Sequence, residues 1–134
     1  MQAASIPAVP VEGGTLRVIA GQHGGIMGPV SEIAVAPLYL DLQLQPGSAV
    51  SLPVPAGHAA FCHLFDGGGE VGGEQAQSPT LLVLGDGDHL RCRAGETGMR
   101  LLLAAGRPLR EPVARGGPFV MNTRQEIKQA FLDY

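Results

Sequence analysis

The residues of this 134-residue chain that could do chemistry cluster in a few short stretches. Ser51-Leu-Pro-Val-Pro-Ala-Gly-His-Ala-Ala-Phe-Cys-His-Leu-Phe-Asp-Gly67 carries two histidines and a cysteine, a donor set suited to a transition metal. The spacing argues against one shared ion. His58 and His63 are five apart, so on a regular strand they point to opposite faces, about 16 Å apart at ~3.3 Å per residue. His58 and Cys62 share parity but lie ~13 Å apart on the same rise. Metal–nitrogen bonds of ~2.1 Å cannot span either gap.

The other motifs fail on context. Gly67-Gly-Gly-Glu-Val-Gly72 satisfies G-x-G-x-x-G, but Gly73-Glu-Gln-Ala-Gln-Ser-Pro79 cannot supply the helix whose N-terminus would meet a pyrophosphate, so a hairpin turn is expected. Asp86 and Asp88 start a calcium-loop pattern that breaks off after its third position and reads as a Gly/Asp turn. His89, Arg91 and Arg93 alternate with Leu90 and Cys92, which predicts a solvated outer strand face. There is no G-x-S-x-G elbow, no C-x-x-C and no H-E-x-x-H.

The elements that must carry these residues read as short strands. Thr15–Ala20 is the first, and residues 21–37 are irregular and broken by Gly and Pro. Leu38-Tyr-Leu-Asp-Leu-Gln-Leu44 has the clearest period-2 pattern, with four leucines on one face. Further strands are expected at Ser48–Pro53, Ala59–Phe65, near Val71, and at Leu81–Leu84, His89–Arg93 and Arg100–Leu103. Gly67–Gly69 reads as a turn and Glu74–Pro79 as a loop. Strands at this spacing suggest a sandwich or small barrel. Thr123-Arg-Gln-Glu126 is a capping box, and Ile127, Ala130, Phe131 and Tyr134 then form one apolar stripe, predicting a helix over 124–133 that packs on the β body.

Composition narrows the class. Apolar residues make up 45% and charged residues 16%, enough for one globular core, and the 20 Gly and 11 Pro are spread between apolar runs as in a turn-rich β protein. A net charge of −3 and no tryptophan argue against nucleic acid as a partner. The start Met1-Gln-Ala-Ala-Ser-Ile-Pro has neither the basic nor the apolar part of a leader, and no apolar run is long enough for a membrane span. The expected location is the cytoplasm, with Cys62 and Cys92 as buried free thiols.

Several stretches resemble the second half of pirin, a two-domain cupin. They are Pro53-Val-Pro-Ala-Gly-His-Ala-Ala-Phe61, Val83-Leu-Gly-Asp-Gly-Asp-His-Leu-Arg-Cys-Arg-Ala-Gly95, Leu101-Leu-Leu-Ala-Ala-Gly-Arg-Pro-Leu109 and, above all, Gly117-Pro-Phe-Val-Met-Asn-Thr123 entering the helix. The similarity covers about residues 10–134. Ala59, Cys62-His63 and Gly116 depart from the family pattern. The resemblance implies an all-β, double-stranded β-helix (cupin, or jelly-roll) barrel with one C-terminal α-helix. Residues 1–14 would be an N-terminal extension and residues 15–134 the domain.

Cupins hold a metal with an H-x-H-x4-E run and a later histidine. Alignment on that pattern puts the ligand positions at Pro53, Pro55, Ala60 and Gly98, none of which carries a donor side chain. Neither a metal nor another cofactor is therefore expected. In pirins the metal belongs to the N-terminal cupin, and the quercetin 2,3-dioxygenase activity attributed to several of them goes with that half. Parity from Ala60 would turn His58, Cys62 and Leu64 inward, with Leu90 and Cys92 opposite, a candidate barrel-interior pocket for a small molecule. It would turn Phe61, His63 and Phe65 outward, a candidate interface with a second copy or with an N-terminal cupin domain. The leading expectation is a structural or protein-interaction domain. The alternatives are half of a dioxygenase-like pirin and a small-molecule binding barrel.

Overall fold

A computed structural model describes residues 5–134, so the first four residues of the expected N-terminal extension lie outside the described residues. The rest of that extension belongs to the fold. Strand β1 (Ala8–Val11) pairs antiparallel with β2 (Gly14–Ala20), which continues to β5 (Leu38–Leu44). Two short strands, β3 (Gln22–His23) and β4 (Ile26–Met27), form a small hairpin in the otherwise irregular stretch between them.

The barrel is organised by two long strands, β7 (Ala59–Val71) and β10 (His89–Gly106). The C-terminal half of β10 lies between β5 and the first half of β7, whose other side takes β9 (Thr80–Val83). The N-terminal half of β10 pairs with β6 (Ala49–Pro53) and with the second half of β7, which also takes β8 (Glu74–Gln77). Two sheets therefore face each other and share β7 and β10, the jelly-roll form of the cupin fold.

The long strands correct three expectations. His89–Arg93 and Arg100–Leu103 are parts of one strand. Gly67–Gly69 is a bend inside β7, not a turn, and Glu74–Gln77 is a strand, not a loop. The bend has a steric cause. The register jumps from Ala94↔Gly69 to Met99↔Gly67, and at Gly67 (φ 69°) a Cβ would sit 2.1 Å from the Gly98 carbonyl oxygen. Only glycine lets the two backbones close there and pass from one sheet to the other. The true turn is Gly72-Gly73, both at positive φ, joining Val71 to Glu74.

Between the sheets the core is closed. Leu16, Val18, Leu38, Leu40, Leu42, Leu44, Leu52, Leu64, Leu101 and Leu103 are buried, and period-2 alternation places each of them inward. Helix α1 (Arg124–Asp133) starts at Thr123 with the capping box complete. It packs on its own hairpin, β11 (Ala114–Gly116) and β12 (Phe119–Met121), and not on the barrel core. Phe119 meets Phe131 edge-on at 5.1 Å and Tyr134 at 5.8 Å between ring centroids. Of the expected stripe only Ile127 is buried; Tyr134 is 96% exposed. Among the described residues no helix is long and apolar enough to cross a membrane.

Candidate functional site: barrel mouth and outer sheet face

At one end of the barrel the 21–37 segment and the residues after β6 enclose an open cleft of about 710 Å³. Pro53, Pro55 and His58 line it, as do His23, Glu32 and Leu38. Ala60 is in the same part of the barrel, because it pairs with Ala105 and Ala105 with Leu38. Gly98 is elsewhere. It precedes Met99, which pairs with Leu44 at the far end of β5, and it lines a separate groove with Pro46 and Asp66. Six residues of β10 separate Met99 from Ala105, about 20 Å at ~3.3 Å per residue. The structure therefore brings three of the four aligned ligand positions to one end and leaves the fourth at the other.

The aligned positions at that end carry no metal-ligating side chain. Two prolines and an alanine offer no lone pair, and among the described residues no three of His, Cys, Asp and Glu come together. The side chains expected to line an interior pocket are packed in the closed core. Cys62 and Leu64 are fully buried, and Leu90 and Cys92 are within 3% of it. His58 stands apart from them, half-buried at the mouth. Burial pushes the Cys62 thiol up to about 11 and the Cys92 thiol to about 12, which makes both poor nucleophiles.

The two outer faces contrast. On the second sheet His89, Arg91 and Arg93 are exposed, and Arg93 pairs across the ladder with Glu70. Asp88 lies beside them, its carboxyl held below the usual range chiefly by a hydrogen bond from the His89 imidazole. On the first sheet strand pairing assembles apolar rows. Tyr39, Ala104, Phe61 and Val83 are successive cross-strand neighbours, and so are Asp41, Leu102, His63 and Leu81. Val83 is 82% exposed, Leu81 61% and Phe61 47%.

Phe65 borders this patch, where the Arg100 guanidinium lies 5.2 Å from its ring centre. Arg100 also donates to both Asp41 oxygens, at 3.1 and 2.8 Å, and Arg17 approaches Asp41 at 3.7 Å. A charged clasp thus bounds the apolar rows. Beside Tyr39, Phe61 and Leu81 the face hollows into a groove of about 600 Å³.

Sequence reasoning missed Leu81, Val83 and His23. Leu81-Leu-Val-Leu84 is a continuous apolar run, which reads as a strand buried on both faces. Nothing periodic marks His23 within its glycine-rich stretch.

The family model for the pirin C-terminal cupin domain matches residues 39–134. The chain belongs to that family. Human pirin is 38% identical across the whole of this chain, and a pirin-like protein of Caulobacter vibrioides is 39% identical over 97% of it. The chain spans about half the length of the curated relatives it matches, 48% of each of these two. Among solved structures, a quercetin 2,3-dioxygenase from Acinetobacter baumannii superposes with a TM-score of 0.90 at 31% identity, over 99% of this chain and 47% of that one. The pirin resemblance accounts for the bent β7 and β10 and for the capped C-terminal helix as features of one shared fold.

Proposed function

We propose that this chain is a metal-free pirin-type cupin domain that works by protein interaction, with no catalysis of its own, in the cytoplasm. The observation that carries this reading is the apolar outer face of the first sheet, where Phe61 and Val83 pair in one cross-strand row and Leu81 stands in the next. A soluble domain seldom leaves such a surface wet unless something docks there. The expected partner is a second copy of this chain, giving a homodimer. An N-terminal cupin domain like that of two-domain pirins is the other candidate. The donor-free positions Pro53, Pro55 and Ala60 support the metal-free part, because none of these side chains can ligate an ion.

A second reading draws on the likeness to the Acinetobacter baumannii quercetin 2,3-dioxygenase. In it the chain is half of a dioxygenase-like pirin whose iron is held by residues outside this sequence. Elemental analysis of the purified chain tests the first reading. Less than about 0.1 equivalent of iron, nickel, copper or zinc is expected, since two-proline, one-alanine sites hold none of them. One equivalent that survives dialysis overturns it.

A further inference from the structure

The free edges of the two sheets are not alike. An edge strand offers its outward N–H and C=O groups to any strand that can pair with them, and proteins blunt such edges with proline or charge. The edges here are β1 and β9 in the first sheet and β6 and β8 in the second. On β1 the bond from the Val18 amide to the Pro7 carbonyl turns Ala8 and Pro10 outward, and Pro10 has no N–H to offer. On β6 the bond from the Ala94 amide to the Ser48 carbonyl turns Pro53 outward in the same way. Strand β8 opens with the exposed charge of Glu74, and its outward Gln77 carbonyl already accepts the Thr80 hydroxyl.

Strand β9 has no such guard. The bond from the Leu84 amide to the Ala60 carbonyl turns Thr80, Leu82 and Leu84 toward β7, so Leu81 and Val83 hold their N–H and C=O groups outward. No proline or charged residue occurs from Thr80 to Gly85, and no described strand pairs with that side. These two residues also carry the most exposed apolar side chains of the outer face. The edge is complementary to itself. A second copy related by a two-fold axis through Leu82 sets Leu81 opposite the partner's Val83, and Val83 opposite the partner's Leu81, each pair exchanging both of its N–H···O bonds. Pro79 and Asp86 bound the match, and the symmetric contact uses up the edge on both copies, so it closes on a dimer.

We infer that this chain pairs through β9 with β9 of a second copy, joining the two first sheets into one. The inference rests on the self-association proposed above and gives it a geometry. The apolar rows that end at Val83 and Leu81 in one copy run on into those of the other.

The test is Val83→Pro in the full chain. The Val83 amide faces away from β7, so the change removes no ladder bond within the barrel, keeps an apolar side chain and copies what Pro10 and Pro53 do on other edges. In sedimentation equilibrium up to about 500 µM the native chain self-associates and V83P is monomeric. In the native chain the Leu81 and Val83 amides exchange with solvent about threefold more slowly at ~500 µM than at ~10 µM, for a dissociation constant of ~0.2 mM, while Leu82, bonded to β7, is slow at both. That comparison does not depend on how the variant folds. Native association with the Leu81 and Val83 amides exchanging equally at both concentrations, or with V83P associating as well as the native chain, overturns edge pairing and leaves docking at the sheet face standing. A native chain that is monomeric at ~500 µM overturns both.

Discussion

If the outer face of the first sheet is an interface between two copies, adding charge to its edge strand must abolish association. The perturbation is Leu81→Glu with Val83→Glu. Both side chains stand on β9, outside Phe61 and His63, with 61% and 82% of their surface exposed. Together with Phe61 they leave about two whole side chains of apolar surface in water, worth about 3–6 kcal/mol per protomer at ~1.5–3 kcal/mol for each fully buried side chain. A two-fold dimer doubles this to about 6–12 kcal/mol. Association costs at least ~4 kcal/mol, which leaves about 2–8 kcal/mol and a dissociation constant no tighter than ~1 µM.

The two glutamates remove about 2–4 kcal/mol per protomer, twice that per dimer, which is essentially the whole surplus. The middle of that range, about 5 kcal/mol, corresponds to a dissociation constant of ~0.2 mM, so sedimentation equilibrium up to about 500 µM should show the native chain self-associating and the variant monomeric. Arg91→Glu, on the charged face of the second sheet, is the control and leaves association unchanged. A native chain that is wholly monomeric at ~500 µM, or a double variant that associates as well as the native one, refutes the reasoning.

Three further outcomes follow from the fold. With thiols at about 11 and about 12 in a closed core, neither Cys62 nor Cys92 should react with iodoacetamide at pH 8 until guanidinium unfolds the chain; fast native labelling would contradict their burial. Asp41→Asn weakens the clasp to Arg100 and Arg17, and because both arginines are more than a third exposed the expected loss in urea denaturation is only about 1–2 kcal/mol, with no loss counting against the clasp. Hydrogen bonds from the Thr123 hydroxyl and backbone hold the Glu126 carboxyl below its usual range. This contribution is fully present above the ordinary carboxylate value of ~4.3 and is lost as pH falls through the lowered one. Helical ellipticity should therefore drop in that acid window, and Glu126→Gln should flatten the drop.

Much of the architecture was legible because it is local. The leucines of Leu38–Leu44 alternate and are all buried, and the capping box at Thr123 and Glu126 starts the helix where its spacing says it must. The missing donors at Pro53, Pro55 and Ala60 can likewise be read without coordinates, because a side chain with no lone pair ligates nothing in any fold.

What the sequence could not determine are the facts of pairing between distant strands. Gly67–Gly69 reads as a turn in isolation, and it becomes a bend only because β10 passes 2.1 Å from where a side chain would stand. Leu81 and Val83 join Phe61 in one apolar surface through the register of β9 on β7, and His23 reaches the cleft of His58 only when the 21–37 segment folds over the barrel mouth. Sequence periodicity encodes which way a residue points along its own strand. Which residues become its neighbours is decided by contacts between segments far apart in the chain, and both candidate surfaces are built from such contacts.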